Sequence, residues 1–164
     1  MLSKEKKDGA SASPLAHIES WAFSCDATHI TAPCRKASGL IDVFDQIIST
    51  SNISIGGINA HGTGTIYNDA MELRAFTEMC EAGTPVCSTK GALGHSLGAT
   101  GVIEALLSVL SLQHDVLPPT VGLMVPEESS CLLSGTKPLS LLHPSIVTCN
   151  SGFGGINAAL FMTR

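Results

Sequence analysis

The feature that most constrains this chain is a glycine-containing loop, Asn59 to Thr65, which follows the short apolar run Ile53 to Ile58. An amphipathic segment comes next, so the predicted order is strand, tight loop, helix. In open α/β sheets, ligands bind beside such strand ends. The loop carries His61, Thr63 and Thr65, which supply a proton carrier and two hydroxyl groups. The loop therefore predicts an α/β fold with a functional site at this strand end.

The composition indicates a domain that hides part of its surface. The chain has 164 residues, of which 44% are hydrophobic and only 14% are charged, whereas roughly a quarter is usual for charged residues in soluble domains. Burial against a partner is the preferred explanation, and an Ala/Gly/Ser-rich core is the alternative. The formal net charge is −5. Without a basic stripe and interleaved aromatic residues, the sequence argues against nucleic-acid binding.

We expect a cytoplasmic protein without a membrane span. The N-terminus lacks the apolar core of a signal peptide, and the most apolar run, Gly98 to Leu112, is interrupted by Glu104. The six cysteines form no CxxC pair, which favours reduced thiols. Cys25, His29 and Cys34 do not have the spacing of a usual zinc site, so we expect no metal there.

The periodicity predicts alternating strands and helices behind a polar, mobile arm at residues 1–14. The helix that ends near Gln113 is apolar on nearly all faces, which predicts burial all round. Glu104 within it then needs a partner, because an unpaired buried carboxylate is very costly. Asn68 is the predicted N-cap of a helix that runs to about Glu81. Strands are predicted at 15–25, 53–58, 86–88, 139–142, 146–149 and 158–162, and the first helix at 39–49.

Three glycine-rich loops follow predicted strands, at His61, at Lys90 to His95, and at Phe153. Each alone has an ordinary structural explanation, such as a capped turn or a surface lysine. Together, two histidines and a lysine in such loops indicate a site. Two neutral imidazoles can donate hydrogen bonds to a developing oxyanion, and a lysine beside one of them can fix its tautomer.

The loop motifs resemble those of the β-ketoacyl-acyl-carrier-protein synthases. The matching stretches are Asn59 to Thr65, Ser88 to Ala99, Asn150 to Gly155, and Asp26 to Pro33. Their order and spacing fit from about Leu15 to the C-terminus, so residues 15–164 resemble the C-terminal half of a synthase. The resemblance implies a thiolase-like half, a mixed β-sheet flanked by helices in α-β-α layers with a buried apolar central helix.

The resemblance also implies a chemistry, a decarboxylative Claisen condensation of malonyl-carrier protein with an acyl thioester on a cysteine. His61 and His95 would promote decarboxylation and stabilise the enolate oxygen, and Lys90 would orient and polarise His95. No cofactor is implied, with a buried monovalent cation as the one candidate. The other matched positions are Thr63 and Thr65 for the pantetheine arm, Phe153 and Gly154 for the acyl gate and oxyanion hole, and Asn59, Glu104 and Asn150 for the polar or cation site.

Two departures from the family pattern bear on these roles. The last loop, Asn150 to Gly155, is one residue shorter than the family's Asn-Ser-Phe-Gly-Phe-Gly-Gly. The resemblance also covers only the C-terminal half, and the family's nucleophilic cysteine lies in the other half. Cys149 stands roughly where thiolases keep a second cysteine, but we interpret it as a buried strand residue.

Three hypotheses follow for function. In the first, a separate N-terminal half supplies the cysteine of a composite ketosynthase, whose substrate partner is acyl carrier protein bearing malonyl or acyl groups. In the second, the chain is a non-catalytic companion of a complete ketosynthase-like subunit, or a truncated remnant. In the third, it is a thiolase-like acyl-CoA enzyme using Cys149. Retention of His61, Lys90 and His95 together favours the first hypothesis.

Overall fold

The computed structural model describes residues 13–164. Residues 1–12 of the predicted arm lie outside this range. The predicted alternation of strands and helices is confirmed. The strands are β1 (His17–Cys25), β2 (Ile58–Asn59), β3 (Pro85–Cys87), β4 (Val116–Leu117), β5 (Leu132–Leu133), β6 (Leu139–Ser140), β7 (Ser145–Gly152) and β8 (Ile156–Thr163). The helices are α1 (Ser38–Ser49), α2 (Ile66–Met79), α3 (Lys90–Leu93) and α4 (Thr100–His114), with a 3₁₀ turn at Leu97–Ala99.

Six of the strands form one mixed sheet in the order β1-β8-β7-β2-β3-β5. Strand β2 runs parallel to both β3 and β7, whereas β7, β8 and β1 are antiparallel neighbours. The last glycine-rich loop, between the strands predicted at 146–149 and 158–162, is the turn of the β7–β8 hairpin. Strands β4 and β6 form a separate two-stranded ribbon. The central position of β2 places the loop that follows it at the middle of the sheet edge.

Helix α1 packs on one face of the sheet and supplies much of the core. Its apolar side chains at helical spacing, Leu40, Val43, Phe44 and Ile47, are fully buried. The Phe44 ring lies 5.6 Å from the ring of Phe76 on α2. Burying a side chain of this kind contributes roughly 1.5–3 kcal/mol, so this layer holds α1 and α2 firmly against the sheet.

Helix α4 lies on the opposite face. Alternation along β8 directs Ala159 and Phe161 toward the α1 core, whereas Leu160 and Met162 join the cluster that contains Leu112 of α4. The β1 neighbour of Leu160 is Trp21, so Trp21 belongs to the α4 face as well. The sheet therefore separates a core layer on the α1 side from a second apolar layer on the α4 side.

The prediction that α4 is buried on all faces is wrong for the described chain. Its buried positions include Thr100, Glu104 and Ser108, whereas Leu106 is 62% exposed and Leu110 is 53% exposed. The small and polar residues recur every four positions and pack against the sheet, because they permit close approach. The larger apolar residues consequently point away from the sheet.

By length and composition alone, the stretch from Leu97 to His114 is long and apolar enough to cross a membrane. The stretch begins with a 3₁₀ turn and carries Glu104 buried in a salt bridge. A charged residue inside a bilayer is costly. The exposed apolar face therefore fits contact with another protein layer better than contact with lipid.

The boundaries of α2 and of the loop after α4 also differ from the predictions. Helix α2 begins at Ile66, not at Asn68, and Thr65 flanks it without a side-chain cap. The Asn68 side chain bonds Glu72 one turn later instead. The short strand β5 lies between residues 113 and 139, where no strand is predicted, and its Leu132 and Leu133 pair with Pro85 and Val86 of β3.

Candidate active site

The loop after β2 is held in place by a buried carboxylate. Glu72 Oε1 accepts the backbone N–H of His61 at 2.7 Å, and Oε2 accepts the backbone N–H of Gly62 at 2.7 Å. The Asn68 side-chain amide donates to the same Oε2 at 2.7 Å. Gly62 has φ +43°, and a Cβ there would lie 2.5 Å from Ser88 Cβ. Only glycine fits this position comfortably, so the chain can present His61 directly over the sheet edge.

The structure brings the two predicted histidines together. The rings of His61 and His95 are 5.3 Å apart between centroids and meet edge to face at 82°. His61 is buried, whereas His95 is exposed on the loop before α4. The Nδ1 atom of His95 lies 3.1 Å from Thr100 Oγ1 and accepts the Leu97 N–H at 3.3 Å. The two imidazole rings therefore lie close enough to act on one bound group.

A chain of polar contacts leads from Lys90 to His61. Lys90 Nζ lies 2.6 Å from Glu104 Oε1, and Glu104 Oε2 accepts the Asn150 amide N–H at 2.9 Å. Asn150 Oδ1 lies 3.0 Å from His61 Nδ1. The expectation that Glu104 needs a partner is confirmed. The hydrogen-bond partner of Lys90 is Glu104, and that of His95 is Thr100, so polarisation of His95 by Lys90 stays a prediction.

Burial and charge set the protonation of two groups at the site. Burial, reinforced by the nearby Lys90 ammonium, lowers the pKa of His61 to about 4, so its imidazole is neutral at neutral pH. Burial raises the pKa of Glu72 to about 7, although the N–H groups of Gly62 and His61 oppose the shift. A neutral imidazole matches the predicted role of a hydrogen-bonding group.

The polar site predicted at Asn59, Glu104 and Asn150 is assembled, but its atoms do not suit a cation. Asn59 donates its amide N–H to the Glu104 carbonyl at 3.2 Å and to Ser108 Oγ at 3.2 Å. The Glu104 carboxylate is already neutralised by the Lys90 ammonium. Because N–H donors and an ammonium converge here, the cluster fits an ion pair and offers a further cation few free oxygen ligands. Over residues 13–164, no group of three or more His, Cys, Asp and Glu side chains could hold a metal ion.

The predicted substrate-binding residues lie at the exposed rim. The hydroxyls of Thr63 and Thr65 are 2.9 Å apart, and the Phe153 side chain is 80% exposed. The Gly154 N–H donates to the Ile30 carbonyl at 2.6 Å. That contact occupies the donor that an oxyanion hole would use. The roles of these four residues therefore stay predictions.

Cys149 is confirmed as a buried strand residue. It lies in β7, is 1% exposed, and its Sγ donates to Glu72 Oε1 at 3.8 Å. Burial raises the pKa of its thiol well above the ordinary value. A thiol that resists ionisation is a poor nucleophile, so the arrangement argues against the thiolase-like hypothesis.

Sequence reasoning missed the residues that support the catalytic loops. From sequence alone, Glu72 has an ordinary explanation as an acidic residue in the first turn of a helix, and Thr100 carries no distinguishing signal. Asp26 accepts N–H groups from Cys34 and Asn157, which ties the first loop to the start of β8. The one sequence signal for Glu72 was a carboxylate one turn after Asn68 on the helix that follows the His61 loop.

Comparisons with known proteins agree with this geometry. A family profile described as "Beta-ketoacyl synthase, C-terminal domain" matches residues 15–124. The chain belongs to the β-ketoacyl synthase family. It is 35% identical over 157 residues to 3-oxoacyl-acyl-carrier-protein synthase 2 of Vibrio harveyi, covering 91% of this chain and 38% of that protein. It is also 37% identical to the actinorhodin polyketide putative beta-ketoacyl synthase 1 of Streptomyces coelicolor, covering 90% of this chain and 33% of that protein.

A solved ketosynthase has the same fold. The ketosynthase from Xenorhabdus doucetiae, determined in complex with its chain length factor, superposes with a TM-score of 0.78 at 31% identity. The match covers 93% of this chain and 40% of that one. The predicted thiolase-like α/β fold is therefore confirmed. The chain spans well under half the length of these ketosynthases.

The two shifted pKa values predict opposing pH dependences of stability. His61 has a folded pKa of about 4 against an ordinary 6.5, so its contribution is lost as pH falls through that range. Glu72 has a folded pKa of about 7 against an ordinary 4.5, so its contribution is lost as pH rises through that range. At 1.36 kcal/mol per pKa unit, each effect is about 3 kcal/mol. Between pH 4.5 and 6.5, the effects of His61 and Glu72 on the free energy of unfolding have opposite signs and should nearly cancel.

His61→Gln should remove the contribution of His61, so that the pH dependence of stability caused by Glu72 can be measured alone. We expect the free energy of unfolding of this variant, measured with urea, to fall as pH rises from about 4.5 to 7. His114→Gln changes an exposed histidine and should keep the flat parent profile. A flat profile of the variant over this range would show that Glu72 ionises at its ordinary pKa.

Proposed function

We propose that this chain supplies the His61, His95 and Lys90 part of a ketosynthase active site. The enzyme would condense malonyl-carrier protein with an acyl thioester, in fatty acid or polyketide synthesis. The observation that carries the proposal is the neutral, buried His61 meeting His95 edge to face at 5.3 Å. Relatives in both fatty acid and polyketide synthesis support this substrate class.

The reaction requires a place for negative charge on a thioester oxygen. The bond from the malonyl α-carbon to its carboxylate breaks, carbon dioxide leaves, and the electron pair becomes an enolate. The enolate carbon then attacks the acyl carbonyl, the new carbon–carbon bond forms, and the cysteine thiolate departs. Preorganised hydrogen bonds to the enolate oxygen lower the barrier of the first step. Two imidazoles on adjacent loops are suited to that task.

The nucleophilic cysteine would come from an N-terminal ketosynthase half that lies outside these 164 residues. Cys149 is buried and hard to ionise, and the family profile that this chain matches describes a C-terminal domain. The α4 face supports such a partner, because Trp21, Phe23, Leu106 and Leu110 are all more than half exposed there. Such an apolar surface marks a protein contact. That this half is a separate chain, and that the assembly is cytoplasmic, are parts of the same proposal.

Leu106→Glu should prevent assembly with the N-terminal half and leave the fold of this chain intact. The side chain is 62% exposed and faces away from the sheet, so a carboxylate is harmless there until a partner buries it. Co-expression followed by native mass measurement should show a stoichiometric complex for the parent and none for Leu106→Glu. Glu78→Gln, on the opposite side of the sheet, should assemble normally.

The same measurement separates the competing functions. Malonyl decarboxylation and condensation by the assembled complex, with neither by this chain alone, would support the composite site. Stable binding to a complete ketosynthase with no gain of activity would favour the companion role. Turnover by the purified chain alone would overturn the half-site proposal.

A further inference from the structure

The hydrogen-bond chain that ends at His61 has a direction, and the direction decides which ring nitrogen carries the proton. Lys90 Nζ can only donate, so Glu104 Oε1 accepts from it at 2.6 Å. The second oxygen of that carboxylate, Oε2, is also an acceptor. The group of Asn150 that meets it at 2.9 Å is therefore the amide N–H.

This fixes the other end of the Asn150 amide. Its carbonyl Oδ1, which can only accept, lies 3.0 Å from His61 Nδ1. Nδ1 of His61 must therefore carry the hydrogen. In a neutral imidazole the other nitrogen, Nε2, then has a free lone pair.

His95 has the opposite arrangement. The backbone N–H of Leu97 can only donate, and it points at His95 Nδ1 at 3.3 Å. Nδ1 of His95 therefore accepts, and in the neutral ring Nε2 carries the hydrogen. Thr100 Oγ1, at 3.1 Å from the same Nδ1, can donate its own hydroxyl hydrogen there as well.

We propose that Asn150 is a positioning residue that holds His61 with its proton on Nδ1. The two histidines then have different roles. His95 donates through its Nε2–H to the enolate oxygen, and His61 offers its Nε2 lone pair as a hydrogen-bond or proton acceptor. This refines the expectation that both rings stabilise the oxyanion alike. The division of roles in catalysis rests on the proposed function, whereas the tautomer itself does not.

The tautomers can be measured on the full chain without any substrate. Long-range proton–nitrogen correlation spectra of the ¹⁵N-histidine-labelled protein at neutral pH distinguish protonated from unprotonated ring nitrogens. His61→Gln and His95→Gln assign the two signals. We expect an unprotonated Nε2 in His61 and an unprotonated Nδ1 in His95. A His61 ring with its proton on Nε2 would overturn the proposal.

Variants at position 150 test whether Asn150 imposes the tautomer. Asn150→Leu removes the acceptor, so the Nε2-protonated form of His61 should become the major one. Asn150→Asp keeps an oxygen at that place, shares a proton with Glu104, and should preserve the Nδ1-protonated form. Asn52→Leu, at an exposed asparagine, should leave the spectrum unchanged. An unchanged tautomer in Asn150→Leu would show that another group imposes it.

Two further results keep the test decisive. If Asn150→Leu does not fold, the parent spectrum and that of Asn150→Asp still decide between the tautomers. In the assembled ketosynthase, Asn150→Leu should slow decarboxylation about 10²-fold, the scale of a misplaced proton acceptor. The predicted tautomers with unchanged activity would confirm the hydrogen-bond chain and overturn the role of His61 as acceptor. No activity in any assembled parent enzyme would instead count against the proposed function.

Discussion

His95→Ala is expected to slow malonyl decarboxylation by the assembled ketosynthase about 10²- to 10³-fold, the usual effect of removing one oxyanion donor. The physical reason lies in its surroundings. Its Nδ1 accepts the Leu97 N–H, which leaves Nε2–H as the donor aimed outward beside His61. Alanine removes that donor and leaves the partner ring in place, since Glu72 and Asn150 hold His61 without help from His95.

The rate should be measured as carbon dioxide release from malonyl-carrier protein, in the complex of this chain with its N-terminal half. Separate measurement of kcat and KM is needed, because loss of a donor used mainly in the transition state lowers kcat more than it raises KM. His114→Ala, at an exposed histidine at the end of α4, is the matched control and should keep the parent rate. Full activity of His95→Ala would remove this residue from the mechanism.

The sequence predicted the candidate catalytic residues better than it predicted the residues that hold them in place. His61, Lys90 and His95 could be selected because three glycine-rich loops follow strands, and parallel strands deliver such loops to one edge. Glu104 was also predictable, since a carboxylate in an apolar helix has few options besides a buried cation. Its partner, Lys90, lies 14 residues away in the chain and meets it across the loop before α4.

Glu72 could not be predicted in its actual role, because its three N–H donors converge only after the His61 loop has folded back over α2. A carboxylate near a helix start has a simpler explanation in the helix dipole, and the sequence cannot distinguish the two. The structure distinguishes them, because Glu72 is only 2% exposed and is therefore a buried hydrogen-bond acceptor. The sequence motif identifies His61, but only the tertiary structure shows that Glu72 holds the loop that carries it.

The error at α4 has a different origin. Apolar residues on nearly all faces of a helix predict burial on all faces, but they do not say which face meets the sheet. Thr100, Glu104 and Ser108 recur at a spacing of four, and small or polar residues at such a spacing allow close packing. That pattern was present in the sequence and pointed to the buried face. The exposed apolar face is the part that depends on a partner outside these residues.

Glu104→Ala should be the most destabilising single change at the site. It leaves the Lys90 ammonium, 8% exposed, without the carboxylate that lies 2.6 Å away. Removing one partner of a buried pair typically costs 3–5 kcal/mol, about ten times the effect at an exposed pair. Urea unfolding of the full chain measures this cost. The chain offers its own control in the surface pair of Asp115 and Arg164, whose side chains are 56% and 45% exposed.

Asp115→Ala should therefore cost under about 1 kcal/mol, although its ion pair, at 2.8 Å, is almost as short as the buried one. The double variant Lys90→Met/Glu104→Leu should recover most of the lost stability, because replacing a whole buried pair by apolar groups is often neutral or stabilising. Recovery of stability without recovery of decarboxylation would mean that the pair is kept to hold Asn150 and His61. Equal costs for Glu104→Ala and Asp115→Ala would mean instead that Lys90 reaches water, and that the polar chain to His61 is open to solvent.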